Sequence, residues 1–325
     1  MNYIVLDLEW NQSPDGKEYS YKDIPFEIIQ IGAVKLDEKL QIVSEFDRYV
    51  KPQIYMKMHK IVEELLCISM DELTEKGEVF EIVIKDFLEW CGEDYIFCTW
   101  GSTDLIELQR NIYHYNIDYK PPKPFLFYDL QKLYSINFSD GATRITLQHA
   151  IEEQGINSEQ EYHMAINDAR YTARVMQTLD FAKVEKFYSV DTYRIPVNKK
   201  DEIYLNFGDY GKYISRGFKT RENTAADREV RNCKCFICGS VMRKCIKWFA
   251  TGTKIYHGLF QCEEHGYMRG RLRIKSTDDG RYYAVRTFKL IDENGIKEVQ
   301  EKKDKEKQHR REVRLRAKDN NLSGA

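Results

Sequence analysis

Residues 2–8, NYIVLDL, place Tyr3, Ile4, Val5 and Leu6 side by side without a polar break. A strand with one face in water alternates polar and apolar residues, whereas an unbroken run of this kind has to be covered on both faces. One such strand already demands a sheet with packing layers above and below it. The run ends at Asp7 and Glu9, two positions apart, which on a strand sets both carboxylates on one face and close together. Two anions so placed repel each other unless a cation lies between them.

The segments that follow supply the layers. FEIIQIGAVKLD (26–37) and QIVSEFDRYVKP (41–52) read as strands joined through the polar DEKL in a hairpin. HKIVEELLCI and EVFEIVIKDFLEWCG carry helical periodicity, the second ending at Gly92. DYIFCTW is another buried strand, and TDLIELQRNIYHYN opens with a capping Thr or Ser. PPKPFLFYDLQKLYS breaks at its prolines and restarts as strand then helix. ITLQHAIEEQGI and a single long helix, AINDARYTARVMQTLDFAKVEKFY, follow. The order β-β-β-α-β-α-β-α-α predicts an α/β fold, a mixed β-sheet flanked by helices.

The formal net charge of −2 hides a division. Residues 1–196 carry 20 Lys+Arg against 34 Asp+Glu, a net of −14, and residues 197–325 carry 30 against 18, a net of +12. At 325 residues two domains are expected, the acidic one suited to cations and the basic one to phosphate. No apolar run reaches the roughly 18 residues of a membrane span, and the N-terminus lacks the form of a secretory leader. A cytoplasmic location is therefore expected, with the eight cysteines as thiols or metal ligands.

Two further stretches join Asp7 and Glu9. TWGSTDLIELQRN sets Asp104 at the start of a helix behind a buried strand, and EYHMAINDARYTARV sets His163 five residues before Asp168. Open α/β sheets gather their sites at such junctions. A histidine beside buried carboxylates serves as a general base or a metal ligand.

As an ordered set, DLE, the Asp at the head of a mid-domain helix and H-x-x-x-x-D resemble the three motifs of the DEDDh 3′-5′ exonucleases. The most similar subgroup is the ribonuclease H-like one related to histone-mRNA exonuclease and the ERI-type RNA-processing nucleases. EIIQIGAVKLD is similar to that subgroup's second strand, and VKPQ…HKIVEELLCISMDEL to its VKP…H…LTGI segment, with LCIS standing where TGIT is usual. The resemblance spans about residues 1–187. It implies a ribonuclease H-like fold and 3′-5′ hydrolysis of RNA or DNA to nucleoside 5′-monophosphates. It also implies two Mg²⁺ or Mn²⁺ ions held by Asp7, Glu9, Asp104 and Asp168, with His163 as the base. Substrate contacts are implied at Leu8, Trp10, Asn11 and Ile68, with His59 nearby. The implied partner is nucleic acid with a single-stranded 3′ end, and no membrane.

The residue types suit that chemistry on their own. Phosphodiester hydrolysis must deprotonate a water and stabilise a leaving 3′-oxyanion, and two metal ions about 3.5–4 Å apart can do both. Hard cations select carboxylate oxygens, and an imidazole can accept a proton at neutral pH. The alternatives are a DNA-directed exonuclease in repair or phage defence, and an inactive nucleic-acid-binding module. The filled set of four acids and His163 argues against the second.

The basic half carries a different signal. CKCFICGS gives Cys235-x-x-Cys238 followed by Gly239, and QCEEHGY gives Cys262-x-x-His265 followed by Gly266. Two such knuckles separated by 23 residues match a zinc ribbon holding one structural Zn²⁺. Cys233, Cys245 and His257 are further candidate ligands, while Cys67, Cys91 and Cys98 read as small buried hydrophobes. YGKYISRGFKTRENTAADREVR and HGYMRGRLRIKS interleave aromatic and basic residues, a pattern that follows phosphates and stacks bases. The expected layout is an exonuclease domain at 1–188, a linker and basic/aromatic segment at 189–230, a small zinc-ribbon β-domain at 231–292 and a charged tail at 293–325. That tail reads as an exposed helix or a disordered segment.

Overall fold

The structure, a computed structural model, describes residues 1–66, 68–141, 143–157 and 163–322. It divides into two compact units, Met1–Tyr193 and Arg194–Ala325. Among the described residues no helix is long and apolar enough to cross a membrane.

The first unit begins with β1 (Asn2–Gln12), β2 (Phe26–Leu36) and β3 (Ile42–Tyr49). Helices α1 (Lys60–Leu65), α2 (Met70–Lys76) and α3 (Phe80–Cys91) lead to β4 (Tyr95–Thr99) and α4 (Thr103–His114). β5 (Leu126–Asp129), α5 (Leu130–Phe138), α6 (Leu147–Glu153), α7 (Ala165–Thr178), α8 (Phe181–Val184) and β6 (Ser189–Val190) complete it. The six strands form one mixed sheet in the order β3-β2-β1-β4-β5-β6. β1 runs antiparallel to β2 and parallel to β4.

β1 is buried on both faces, as its unbroken apolar run requires. Tyr3 and Val5 enter one core with Leu133 of α5, Ile151 of α6 and Ala169 of α7. Ile4, Leu6 and Leu8 enter the other with Phe80 and Phe87 of α3 and Leu105 of α4. Alternation along β1 therefore places Asp7 and Glu9 on the Tyr3 and Val5 side, the side of α7.

Three local expectations are corrected. The long helix expected after residue 164 stops at Thr178, because Leu179 takes extended backbone and turns into the core, and α8 restarts at Phe181. Ser102 occupies the N-cap of α4, yet its hydroxyl makes no capping bond. α2 was not expected, although Ser69 and Glu72 form a reciprocal capping box at its start. Cys91 and Cys98 are buried, while Cys67 lies outside the described residues.

The second unit holds β7 (Ile203–Asn206), β8 (Tyr210–Ile214), α9 (Arg221–Ala226), β9 (Arg243–Ala250), β10 (Ile255–Cys262), β11 (Gly266–Ser276) and β12 (Tyr282–Leu290). Its sheet has the order β7-β8-β12-β11-β10-β9, each neighbouring pair antiparallel. Residues 203–206 and 210–214, expected in the linker and basic segment, thus form the edge strand β7 and its neighbour β8, which joins the sheet through β12. The charged tail is a helix, α10 (Glu293–Leu322), whose Val299 packs on Ile246 and Leu259.

Candidate functional site

β1 and α7 bring the first acids together. The β1–β2 ladder pairs Asp7 with Gly32 and Glu9 with Gln30, then slips so that Trp10 faces Ile28. This bulge lies directly beside the acids and bends the strand there. Asp168, in the first turn of α7, completes a group in which one carboxylate oxygen each from Asp7, Glu9 and Asp168 lies within 4.8 Å of the others. Asp104, in the first turn of α4, stands outside that group. It is buried at 7 % exposure, and its Oδ1 accepts the Leu8 N–H at 3.3 Å.

Burial and mutual repulsion oppose ionisation of these acids. Burial first, then the charges of Asp104, Glu9 and Asp168, lift Asp7 well above the usual carboxylate range. Glu9 is pushed up to about 8 by burial and by Asp168 and Asp104. Asp104 is raised to about 7 by burial, against the backbone amides of Asp104 and Leu8 that favour its anion. Asp168 is raised by burial and partly held back by the His163 N–H. Its Oδ1 is buried with no hydrogen-bond partner among the described residues. Clustered hard oxygen donors, one of them orphaned, fit a divalent cation, which would both fill the missing contact and quench the repulsion.

A family model described as Exonuclease (RNase_T) matches residues 4–176, more than half of the chain. The chain belongs to the RNase_T exonuclease family. All four acids and His163 of this exonuclease lie inside the match. No curated protein matches the chain. Among solved structures it is similar to the nuclease domain of 3′hExo, a DEDDh family member, bound to rAMP, at 20% identity. That likeness covers 58% of this chain and 96% of the other at a TM-score of 0.49. An E. coli ExoI–ssDNA complex is 16% identical, covering 57% of this chain and 40% of that one at a TM-score of 0.44. S. pombe Pop2p in its Mg²⁺- and Mn²⁺-bound form is 16% identical, covering 54% and 81% at a TM-score of 0.41.

The remaining candidates of the exonuclease are placed as follows. His163 is exposed at the entry to α7, with φ 65, and its N–H donates to Asp168 Oδ2 at 3.3 Å. Trp10 is half-buried with its ring centroid 5.8 Å from that of Phe26. Leu8 is buried and its N–H is already taken by Asp104. Ile68 is buried in a small core with Ile29, Leu66 and Leu73. Asn11, expected to contact substrate, is fully buried, and its carboxamide is engaged by backbone. It donates to the carbonyls of Tyr55 and Lys57 and accepts the His59 N–H, so it shapes the 55–59 loop instead.

Residues that hold the site from behind were missed in the sequence. A Cβ on Gly32 would lie 2.2 Å from backbone atoms of Ala165 and Ile166, so glycine alone lets the start of α7 press onto β2 opposite Asp7. Gln30 is fully buried, its Oε1 accepting the Ala165 N–H at 3.1 Å and its Nε2 donating to Asp47 at 2.8 Å. It caps a helix whose own N-cap residue, Met164, has no polar side chain to offer. Glu27 accepts the backbone N–H groups of Gln53, Ile54 and Tyr55, which fixes the segment that Asn11 also grips. The local signal was available only for Gly32, a glycine inside a strand pattern.

A second ligand cluster lies in the other unit. Cys235, Cys238, Cys262 and His265 each offer an atom within 4.8 Å of the rest. Cys238 Sγ is 3.6 Å from Cys262 Sγ, and His265 Nδ1 is 3.8 Å from Cys235 Sγ and 3.6 Å from Cys262 Sγ. Gly239 and Gly266, at φ 76 and 79, make the left-handed turn after each pair. The Ile237 N–H donates to Cys235 Sγ at 3.4 Å, and hydrogen bonds from Ser240 hold the Cys238 thiol down at about 7. Cys233, Cys245 and His257 stand outside this group.

Proposed function

We propose that this exonuclease removes nucleotides from the 3′ end of RNA or DNA, releasing nucleoside 5′-monophosphates, and that it belongs to the DEDDh class, nearest the histone-mRNA and ERI-like subgroup. Asp7, Glu9, Asp104 and Asp168 hold two Mg²⁺ or Mn²⁺ ions in this reading, and His163 is the general base. The observation that carries it is the convergence of Asp7, Glu9 and Asp168, each half-buried, within 4.8 Å of one another, an arrangement that costs stability without a cation. When bound, divalent ions supply charge stabilisation to the scissile phosphate and the leaving oxygen.

The chain's own residues do the remaining work. Asp104 is oriented by the Leu8 N–H, and Asp168 by the His163 N–H. The exposed imidazole of His163 accepts the proton of the attacking water. Trp10, next to Glu9 in sequence, walls the terminal nucleotide, with Leu8 and Ile68 as further substrate contacts.

In the second unit Cys235, Cys238, Cys262 and His265 bind one structural Zn²⁺. Bonds of about 2.3 Å at tetrahedral angles set sulfurs roughly 3.8 Å apart, close to the 3.6 Å between Cys238 and Cys262. Three thiols and one imidazole leave no open position for catalysis.

The test is a panel of single- and double-stranded RNA and DNA labelled at either end, with Mg²⁺ or Mn²⁺. Shortening of 5′-labelled strands one nucleotide at a time, with mononucleotide product from 3′-labelled ones, is expected. Internal fragments or no cleavage contradict the reading, and the relative rates separate RNA from DNA.

A further inference from the structure

The register of the second sheet sets two rows of side chains on one of its faces. Tyr204 of β7 pairs with Tyr213 of β8, which pairs with Arg286 of β12. Two residues along, Asn206 pairs with Gly211 and Gly211 with Phe288, and alternation puts both rows on the same face. Gly211 leaves a gap there for Phe236 of the first knuckle, whose Cβ lies 2.4 Å from where a Cβ on Gly211 would stand. The Asn206 carboxamide donates to the Phe236 carbonyl at 3.4 Å and ties the knuckle to β7. The knuckle and the two rows line a cavity of about 390 Å³, within the roughly 300–1,000 Å³ of small-ligand sites.

The walls of this cavity are aromatic and its charge is positive. Tyr204, Tyr213, Phe236 and Phe288 supply rings, and Tyr204, on the edge strand, is 56% exposed. Lys212, Lys234 and Arg286 line it against one acid, Glu229. That carboxylate is already engaged by the Asn232 amide and the Tyr204 hydroxyl, and Lys234 is exposed at the mouth. Arg286 is 5% exposed, its guanidinium 4.5 Å from the Tyr213 ring centroid and 5.4 Å from that of Phe288. Its Nη1 donates to the backbone carbonyls of Glu229 and Val230. Among the described residues its Nε has no hydrogen-bond partner and no carboxylate forms an ion pair with it. A buried cation without an anion is costly to a fold, and one that lines a cavity marks the place of an electronegative ligand group.

Flat aromatic walls take a flat ring, and the cations take acceptor and anionic groups. A cationic ligand would suit the rings alone, but three cations repel it. An acidic peptide matches the charge and leaves the rings uncovered. A nucleotide carries a flat ring and an anion in one unit. We propose that this cavity binds one nucleotide unit, its base against Tyr204 and Phe236, an acceptor edge toward Arg286, and its phosphate at the mouth beside Lys234. It rests on the reading of the chain as a nuclease and gives the second unit a contact with bases. Stacking on rings is tolerant of sequence.

The experiment uses the full chain without added divalent cation. Anisotropy titrations compare wild type, Tyr204→Ala and Tyr204→Phe on a fluorescently labelled oligouridylate and on an abasic strand of equal length. Calorimetry measures uridine 5′-monophosphate on the same chains. Tyr204→Ala should weaken binding about fivefold or more, the least that one stacked base contributes. The abasic strand should bind both chains equally, and Tyr204→Phe should keep wild-type affinity. Lys234→Gln, at an exposed position, should weaken both strands. A loss on the oligouridylate places the unit within a strand, and a loss confined to the monophosphate makes it a free mononucleotide. Equal affinity of wild type and Tyr204→Ala for oligouridylate and monophosphate overturns the site. So does an equal loss on the abasic strand, or a phosphotyrosine peptide that binds wild type as tightly as the oligouridylate. Hydrolysis of a dinucleotide with Mg²⁺ separates the two proposals. Base-dependent binding lost in Tyr204→Ala, with no cleavage by wild type, defeats the nuclease reading alone. Cleavage by wild type with no effect of Tyr204→Ala on binding defeats the cavity alone.

Discussion

The backbone N–H of His163 donates to Asp168 Oδ2 at 3.3 Å while His163 itself holds φ 65, so the proposed base and the last acid of the set are fixed by one short turn. A left-handed residue other than glycine costs about 1–3 kcal/mol, and the contact to Asp168 is what this turn gains in return. His163→Asn keeps a residue that tolerates this backbone but removes the imidazole. Single-turnover hydrolysis should fall by about two to four orders of magnitude with Mn²⁺ affinity unchanged. His163→Val, β-branched at positive φ, should weaken Mn²⁺ binding as well. Equal activity in wild type and the Asn variant removes His163 from the chemistry.

Gly32→Ala inserts a methyl group into the backbone of Ala165 and Ile166. Helix α7 must shift away from β2, carrying Asp168 with it. The expected cost is about 1–3 kcal/mol of stability and more than tenfold in rate. Gln30→Ala removes the cap on Ala165 and should cost about 1–2 kcal/mol, with a smaller loss of rate. Calorimetry with a rate measurement on each variant checks both, and a Gly32→Ala chain as active and stable as wild type contradicts the close approach.

Asp104 and Asp168 were legible because each lies in the first turn of a helix with a clear period, and Asp7 and Glu9 because they share one face of β1 where its apolar run ends. The mixed sheet flanked by helices followed from the same periods, but α2, the break before α8 and β6 did not. What positions those acids was mostly not legible. Gln30 bonds a residue 135 positions away, and Glu27 bonds amides 26–28 positions away, separations over which local pattern carries no information. Asn11 misled for the same reason, since its neighbours in sequence are acids and an aromatic ring, but its partners are the backbone of residues 55–59. β7 was lost among linker residues because it is short and lies at a sheet edge, where polar residues are tolerated.

The acids also set a pH signature. Glu9 near 8 and Asp104 near 7 stand above their unfolded values near 4, so the folded chain binds more protons than the unfolded one between those limits. Stability of metal-free protein is then greatest below the unfolded values and falls as pH rises through 7 to 8. Melting temperature without divalent ions should drop from pH 5 to pH 8, and Mg²⁺ should restore it more at pH 8. Asp7→Asn should blunt the drop. A flat profile without metal contradicts the buried repulsion.

Removal of zinc should act on the other unit. A thiol-competing chelator is expected to release one Zn²⁺ per chain and to raise amide exchange across residues 230–290. Exchange in β1, β2 and β4 should stay protected. Cys262→Ser should reproduce the effect, whereas Cys245→Ser, outside the cluster, should not. Retained protection around Cys235 and Cys262 after chelation rules the structural metal out.

The most direct test compares wild type with Asp168→Ala on 5′-labelled oligonucleotides across a Mg²⁺ titration, with melting curves of both chains. Stepwise, Mg²⁺-dependent loss of 3′ nucleotides by wild type, and none by a folded Asp168→Ala chain, is the expected result. Unchanged Mg²⁺-dependent turnover in Asp168→Ala contradicts the carboxylate site.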